Sequence, residues 1–476
     1  MPPPQLKIGL FGIGLQAYWS QFEGLKERLE QNLNIVEDKL QAVHPNIINL
    51  GLIDTPEKAF EAGDMFRKED VGLIFLYVTT YALSSTVLPV VMRAKVPVII
   101  LNISPGEAID YNVFNNLKDR TKMTGEWLAS CSACAVPEIA NVFKRTGVKF
   151  QQITGMLYND DECWDEVSEW VEAARVAHIM AYNRMGCIGH YYSGMLDIYS
   201  DLTQHYGTFG GHIELLEMEE LASLRKEVSE DDINARLKLI DEAFDVQPDC
   251  DAMQLRHAAR TSVALDKLVE IHKLGSLAYY YKGTGNADNE DAVNSIILGN
   301  SLLTARGIPV AGEYEIKNAQ AMKIMDSFNA GGSFTEYYAI DFKEDVVLMG
   351  HDGPGHLAIA EGKTKVRPLE VYHGKVGYGL SVEMSVRNGP VTLLSVTESS
   401  DHKLMLLVAE GESVPGPILE IGNTNSRYKF SIGARKFVNE WNSHGPAHHC
   451  AIGIGHISSK IKKLGQLLNI EVAQVC

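Results

Sequence analysis

Cysteine is scarce in this chain, with seven among 476 residues, at positions 131, 134, 163, 187, 250, 450 and 476. An odd, scattered set excludes the disulfide framework of a small secreted domain. Basic residues are also few, 43 Lys and Arg against 61 Asp and Glu, giving a formal net charge of −18. That deficit excludes a nucleic-acid partner gripped through its phosphates. Long apolar runs are missing as well. The most apolar stretch, 73–103, is broken by Thr79, Thr80, Ser84, Ser85, Arg93 and Lys95, so no bilayer span is expected. The opening Met1-Pro-Pro-Pro-Gln-Leu-Lys7 lacks the basic and apolar regions of an export signal. A soluble, cytoplasmic protein is the expectation.

What is present is an ordinary globular composition, 45% hydrophobic and 22% charged. At about 150 residues per domain, three domains are expected. Over 1–180, continuous apolar runs at 7–13, 48–53, 72–78 and 96–102 alternate with helical periods, one of them at 18–34. Buried parallel strands read this way, and Thr55-Pro56 marks a helix start. The pattern predicts a doubly wound, flavodoxin-like α/β domain. A second α/β domain is expected over 181–330, with strands at 184–192, 212–218 and 276–281 and helices at 229–244, 253–274 and 289–306. After Gly331-Gly332 the runs shorten, at 334–342, 346–349, 369–372, 393–396, 404–408 and 418–421. Turn residues such as Asn388-Gly389-Pro390 separate them, which predicts an antiparallel β domain over 331–476. A helix over 457–468 and a last strand over 470–475 close the chain.

Three groups of residues carry chemistry. Gly12-Ile-Gly14-Leu-Gln-Ala17 sits between a strand and a helix, as a dinucleotide loop would, although a tight strand-to-helix turn is the favoured account of the glycines. Cys131-Ser-Ala-Cys134 has redox or metal spacing, but one such pair makes no complete zinc site, and packing of a helix start is expected. The C-terminal half holds Glu313 at an expected helix N-terminus, Glu336 on a strand, Gly350-His351-Asp352 and Pro446-Ala-His448-His449. Two carboxylates and two or three imidazoles, without thiolates, suit an oxygen- and nitrogen-coordinated divalent metal such as Mn²⁺.

Along these stretches the chain resembles the L-arabinose isomerase family, within the wider group of L-arabinose and L-fucose isomerases. Val310-Ala-Gly-Glu313-Tyr-Glu-Ile-Lys317 is similar to the family's G-E-x-x-x-K, and Gly331-Gly-Ser-Phe-Thr-Glu336-Tyr-Tyr338 to its G-G-T-S-F-x-E-x-Y. Leu348-Met-Gly-His351 and Gly445-Pro-Ala-His448-His449 resemble its L-G-S-H and A-A-H-H, and Ile13-Gly-Leu-Gln16 its I-G-S-Q. The resemblance implies a metal-dependent aldose–ketose isomerase, in which Glu313, Glu336, His351 and His449 hold Mn²⁺ or another divalent metal. Glu313 and Glu336 would share the acid and base work, because moving a carbonyl between C1 and C2 removes a poorly acidic proton. Gln16, Met195, Cys131, Cys134 and His448 would line the sugar, in a homo-oligomer, by resemblance a hexamer. A departure stands at 130–134, where the family's N-x-T-x-H-G gives way to Ser130-Cys-Ser-Ala-Cys134. Another follows His351, where Asp352-Gly-Pro-Gly-His356 would add polar groups beside the metal. The sugar-reading shell is therefore altered, and L-arabinose is expected to be a poor substrate. Two other readings stay open, an NAD-dependent oxidoreductase using the Gly12/Gly14 loop and a non-catalytic sugar-binding protein.

Overall fold

The computed structural model describes residues 5–283, 285–369 and 378–476. They divide at His178/Ile179 into two compact units. The first carries five parallel strands, β1 (Ile8–Ile13), β2 (Ile47–Ile53), β3 (Leu73–Tyr77), β4 (Val98–Ser104) and β5 (Phe150–Met156). Their order, β2-β1-β3-β4-β5, is that of a flavodoxin-like sheet. Every residue of β1 and β3 is buried, as a parallel sheet covered by helices on both faces requires. Thr55 caps the helix Pro56–Glu69, its Oγ1 accepting from the Lys58 amide at 3.3 Å.

The helix expected at 18–34 is broken. Gln16–Trp19 is a single turn, and Gly24, at φ 79°, lets the chain restart as Leu25–Val43. This bears on the glycine loop. A dinucleotide loop sets its phosphates on a full helix N-terminus directly behind the glycines, and here that helix is one turn long. A Cβ on Gly12 would press on Leu52 and Thr79, and one on Gly14 on Trp19. Asp54, which follows β2, is already taken by Trp19 Nε1 and Lys58 Nζ, each at 2.7 Å. The glycines are small so that side chains can pack over them, and the NAD reading loses its support.

A second correction concerns Cys131 and Cys134. They are joined as a disulfide, with Cα atoms 6.1 Å apart, and are not two thiols packed at a helix start. Cys131 caps the C-terminus of the helix Arg120–Ser130, and Cys134 stands just ahead of Val136–Thr146. The turn between the two helices brings the side chains within bonding reach.

The second unit holds three sheets. β6 (Arg184–Gly189), β7 (His212–Leu216), β9 (Ser276–Tyr280) and β10 (Val310–Ala311) form a parallel sheet in the order β10-β9-β6-β7; β8 (Asp245–Val246) pairs elsewhere. Ser229 caps Glu230–Ala243 as its sequence suggested, but the helix expected at 289–306 is two, Ala287–Asn294 and Ile297–Ala305. Ser295 breaks it, its hydroxyl turning back onto the Asp291 carbonyl.

The remaining strands are β11 (Gly331–Asp341), β12 (Val346–His351), β13 (Lys365–Pro368), β14 (Leu380–Glu383), β15 (Gly389–Glu398), β16 (Leu404–Val414), β17 (Thr424–Lys429), β18 (Cys450–Ile454) and β19 (Glu471–Gln474). Six of them close into an antiparallel barrel, β15-β18-β11-β12-β17-β16, with β16 pairing back to β15 and β19 added parallel to β16. Closure removes the exposed edges that an open sheet would leave. β13 pairs with both β8 and β14 in a small side sheet. No strand forms at 418–421, and Gly389 and Pro390 begin β15 instead of lying in a turn. Of the run at 369–372, residues 370–372 lie outside the described residues. The helix Ile316–Ser327 is buried along nearly its whole length and packs on β9, β10 and the barrel strands β11, β15 and β18. It thereby fixes the segment carrying Glu313 against the strands carrying Glu336 and His449. Among the described residues, no helix is long and apolar enough to cross a membrane.

Candidate active site

Glu336, His351 and His449 come together through strand register. On β11, Glu336 lies opposite Gly350 of β12, and its neighbour Thr335 lies opposite Cys450 of β18. The residue after Gly350 is His351 and the one before Cys450 is His449, so both imidazoles flank Glu336 at one place on the barrel. Phe334, two residues back on the same face of β11, sets its ring 4.4 Å from that of His351 and 4.3 Å from that of His449. Packed this way, neither ring can swing freely. Thr424 Oγ1 further fixes His351, accepting from its amide and donating to its carbonyl, both at 3.0 Å.

Glu313 arrives by a different route. Instead of sitting at a helix N-terminus, as expected, it lies in the turn after β10, and Glu315 is the residue that caps Ile316–Ser327. Glu313 (φ 56°) and Tyr314 (φ 61°) are both left-handed, a conformation that costs bulky residues about 1–3 kcal/mol each. Surrounding bonds hold the turn. The Tyr314 amide donates to the Tyr279 carbonyl at 3.0 Å, and the Glu315 amide to the Gly312 carbonyl at 2.9 Å. The Tyr314 ring packs 4.8 Å from Tyr191. The strain directs the Glu313 carboxylate at His449, whose Nε2 is 3.4 Å from Glu313 Oε2.

His449 is the hub. Its side chain is 0% exposed, and its Nε2 lies 4.0 Å from Glu336 Oε2. On its other side, the carboxylate of Glu315, also fully buried, stands 3.5 Å from Nδ1. A carboxylate there accepts from Nδ1–H, which leaves the Nε2 lone pair facing two further carboxylates. That nitrogen has no hydrogen-bond donor of its own among the described residues. His448 turns the other way and pairs through Nε2 with Glu336 Oε2 at 2.5 Å, while its amide donates to Asp197 Oδ2 at 2.8 Å. The hydrogen bond to Glu336 raises the His448 pKa above the usual imidazole value; burial opposes it, and the charges of Glu336, Asp197 and Glu313 reinforce it.

Two groups of donor atoms, Glu313/His351/His449 and Glu336/His448/His449, each lie within 4.8 Å of one another. Oxygen and imidazole donors without thiolate suit a hard or borderline divalent cation, and a buried imidazole lone pair facing carboxylates fits a cation between them. The cluster opens on a cleft of about 1310 Å³. Met195 lines it, with Tyr192, the run Tyr279–Tyr281 and Tyr338. Among the described residues its charged lining is six carboxylates, those of Asp197, Asp249, Glu313, Glu336, Asp352 and Glu420, against one guanidinium, Arg367. Such a cleft favours neutral or cationic ligands over anions.

Glu313, Glu336, His351, His448, His449 and Met195 are thus collected in one place, while Gln16, Cys131 and Cys134 belong to the first unit. Of the turn after His351, Asp352 faces the cleft. His356 does not, contrary to expectation: it is buried, 3.8 Å from Asp326. Glu315, Asp197 and the tyrosines were not anticipated. No curated protein matches the chain. Residues 331–471, which make the barrel and supply three of the four expected ligands, match the family model of the L-arabinose isomerase C-terminal domain. That match, confined to the C-terminal domain, suggests a sugar isomerase.

Proposed function

We propose that the protein is a metal-dependent aldose–ketose isomerase acting on a small, unphosphorylated sugar. The observation that carries this reading is the buried His449 Nε2, held between Glu313 and Glu336 with His351 alongside. Glu313, Glu336, His351 and His449 would hold the cation, Mn²⁺ or another divalent ion. When bound, it supplies Lewis acidity toward the C1 and C2 oxygens of an open-chain sugar. Glu313 and Glu336 then move the proton between C2 and C1 through an enediol, one as base and the other as acid. His448, whose pairing with Glu336 favours its protonated form, is placed to donate to a sugar oxygen. Met195 and the tyrosines give the apolar faces against which a sugar ring or chain rests. The excess of carboxylates in the cleft argues against phosphorylated sugars. The working form is a cytoplasmic homo-oligomer, a hexamer by resemblance.

The test is conversion of an aldose panel by Mn²⁺-loaded protein, read as ketose formed. At least one neutral aldopentose or aldohexose should be converted, with L-arabinose not the best of them. Absence of any conversion with Mn²⁺, Co²⁺ or Mg²⁺ would overturn the reading. The enediol route has its own measurement. A C2 deuterium label should be lost to solvent in part, and complete retention in the ketose would point to a hydride shift.

A further inference from the structure

We propose that Cys131 and Cys134 form a reversible thiol–disulfide site that exchanges with low-molecular-weight disulfides of the glutathione class. The two sulfurs are bonded across a separation of three residues. So short a loop gains the least chain-entropy stabilisation from a cross-link, so holding the fold together is a poor account of it. The two sulfurs are also unequal. Cys134 is exposed and lies just ahead of the eleven-residue helix Val136–Thr146, whose positive end favours a thiolate. Cys131 is buried at 7% exposure and caps the C-terminus of Arg120–Ser130, where the helix end disfavours one. An exposed, activated sulfur beside a buried resolving one is the arrangement that thiol exchange needs. By contrast, Cys163 and Cys187 are buried, and burial pushes their thiols up to about 11 and about 12.

Oxidation then runs in two displacements. The Cys134 thiolate attacks one sulfur of glutathione disulfide, forming a mixed disulfide at Cys134 and releasing one glutathione thiolate. The Cys131 sulfur, losing its proton, attacks Cys134 Sγ and releases the second. Two electrons pass from the cysteine pair to the glutathione disulfide, and the protons of the two protein thiols leave with the two glutathione products. Reduction is the reverse, with glutathione thiolate attacking at the exposed Cys134. The bond ties the end of one helix to the start of the next, so its state sets the freedom of the turn between them.

The experiment equilibrates the full chain, without oxygen, in buffers of varied glutathione to glutathione disulfide ratio, then alkylates and digests it. A single tryptic peptide, 123–144, carries both sulfurs and no other cysteine. Its disulfide fraction should fall and rise reversibly as one two-electron transition, approached identically from either side. Cys131→Ser should accumulate glutathione on Cys134, while Cys134→Ser should leave Cys131 largely unmodified. Three results would each overturn the proposal: a pair reduced at every ratio, a pair oxidised at every ratio, or a mixed disulfide that prefers Cys131.

Discussion

Glu313→Gln and Glu336→Gln preserve volume while removing a base, so each should lower kcat by at least ~10²-fold. A variant retaining the wild-type rate would show its residue to be a bystander. His205 makes a prediction of a different kind. It is 0% exposed, bonded through Nε2 to Ser200 Oγ at 2.8 Å, and its Nδ1 has no hydrogen-bond partner among the described residues. Burial first, then the Lys317 charge, lowers its pKa to about 4, with Asp201 opposing. Between about 4 and the usual value near 6.5 the unfolded chain binds the extra proton and the folded one does not. Stability of the second unit should therefore fall as pH drops through that window, by roughly 3 kcal/mol in all. Urea midpoints measured from pH 7 to pH 4 check this, and His205→Gln should flatten the slope. Of these residues, Glu313, Glu336, His351 and the His448-His449 pair were legible as residue types set in familiar runs. Glu315 was not, because a carboxylate serving only to orient an imidazole has no local signature. The left-handed turn at Glu313 and Tyr314 was also hidden. Neither residue favours that conformation, and it is held by the bonds of the Tyr314 amide to Tyr279 and of the Tyr192 amide to the Glu313 carbonyl, which local sequence does not show.

Gly350 shows how an element delivers a residue. A Cβ there would collide with the Thr424 carbonyl oxygen and sit 2.7 Å from Asn425 Cα, so β12 and β17 lie together only because position 350 is bare. Gly350→Ala should push these strands apart and displace His351, which Thr424 holds by two hydrogen bonds. A loss of about 1–3 kcal/mol is expected, the scale of overpacking, together with most of the activity. An unchanged urea midpoint with full turnover would refute this account of the strand pair. The apolar runs of the parallel sheets were readable because burial on both faces leaves no polar interruption. Helix breaks were not. The one at Gly24 depends on a single left-handed glycine, and the one at Ser295 on a hydroxyl that competes for a carbonyl. Of the barrel strands β11, β12, β15 and β16 were legible, but β17, β18, the closure of β15 on β16 and the bare 418–421 segment follow from non-local pairing that periodicity does not record.

Across the whole molecule, the acidic balance of −18 is partly concentrated where it matters, in a cleft with six carboxylates. A cation bound among Glu313, Glu336, His351 and His449 would offset that charge and favour the folded state. Mn²⁺ at 100 times its Kd should therefore raise stability by about 2.7 kcal/mol, visible as a higher Tm. Glu313→Gln should blunt the increase, and a Tm indifferent to metal would count against the site. The central claim is tested most directly by stripping the protein with chelator, confirming metal loss by elemental analysis, and then assaying aldose-to-ketose turnover as Mn²⁺ is returned. The account predicts no turnover in the stripped protein and recovery that saturates near one ion per chain. Undiminished turnover after complete removal of metal would contradict it.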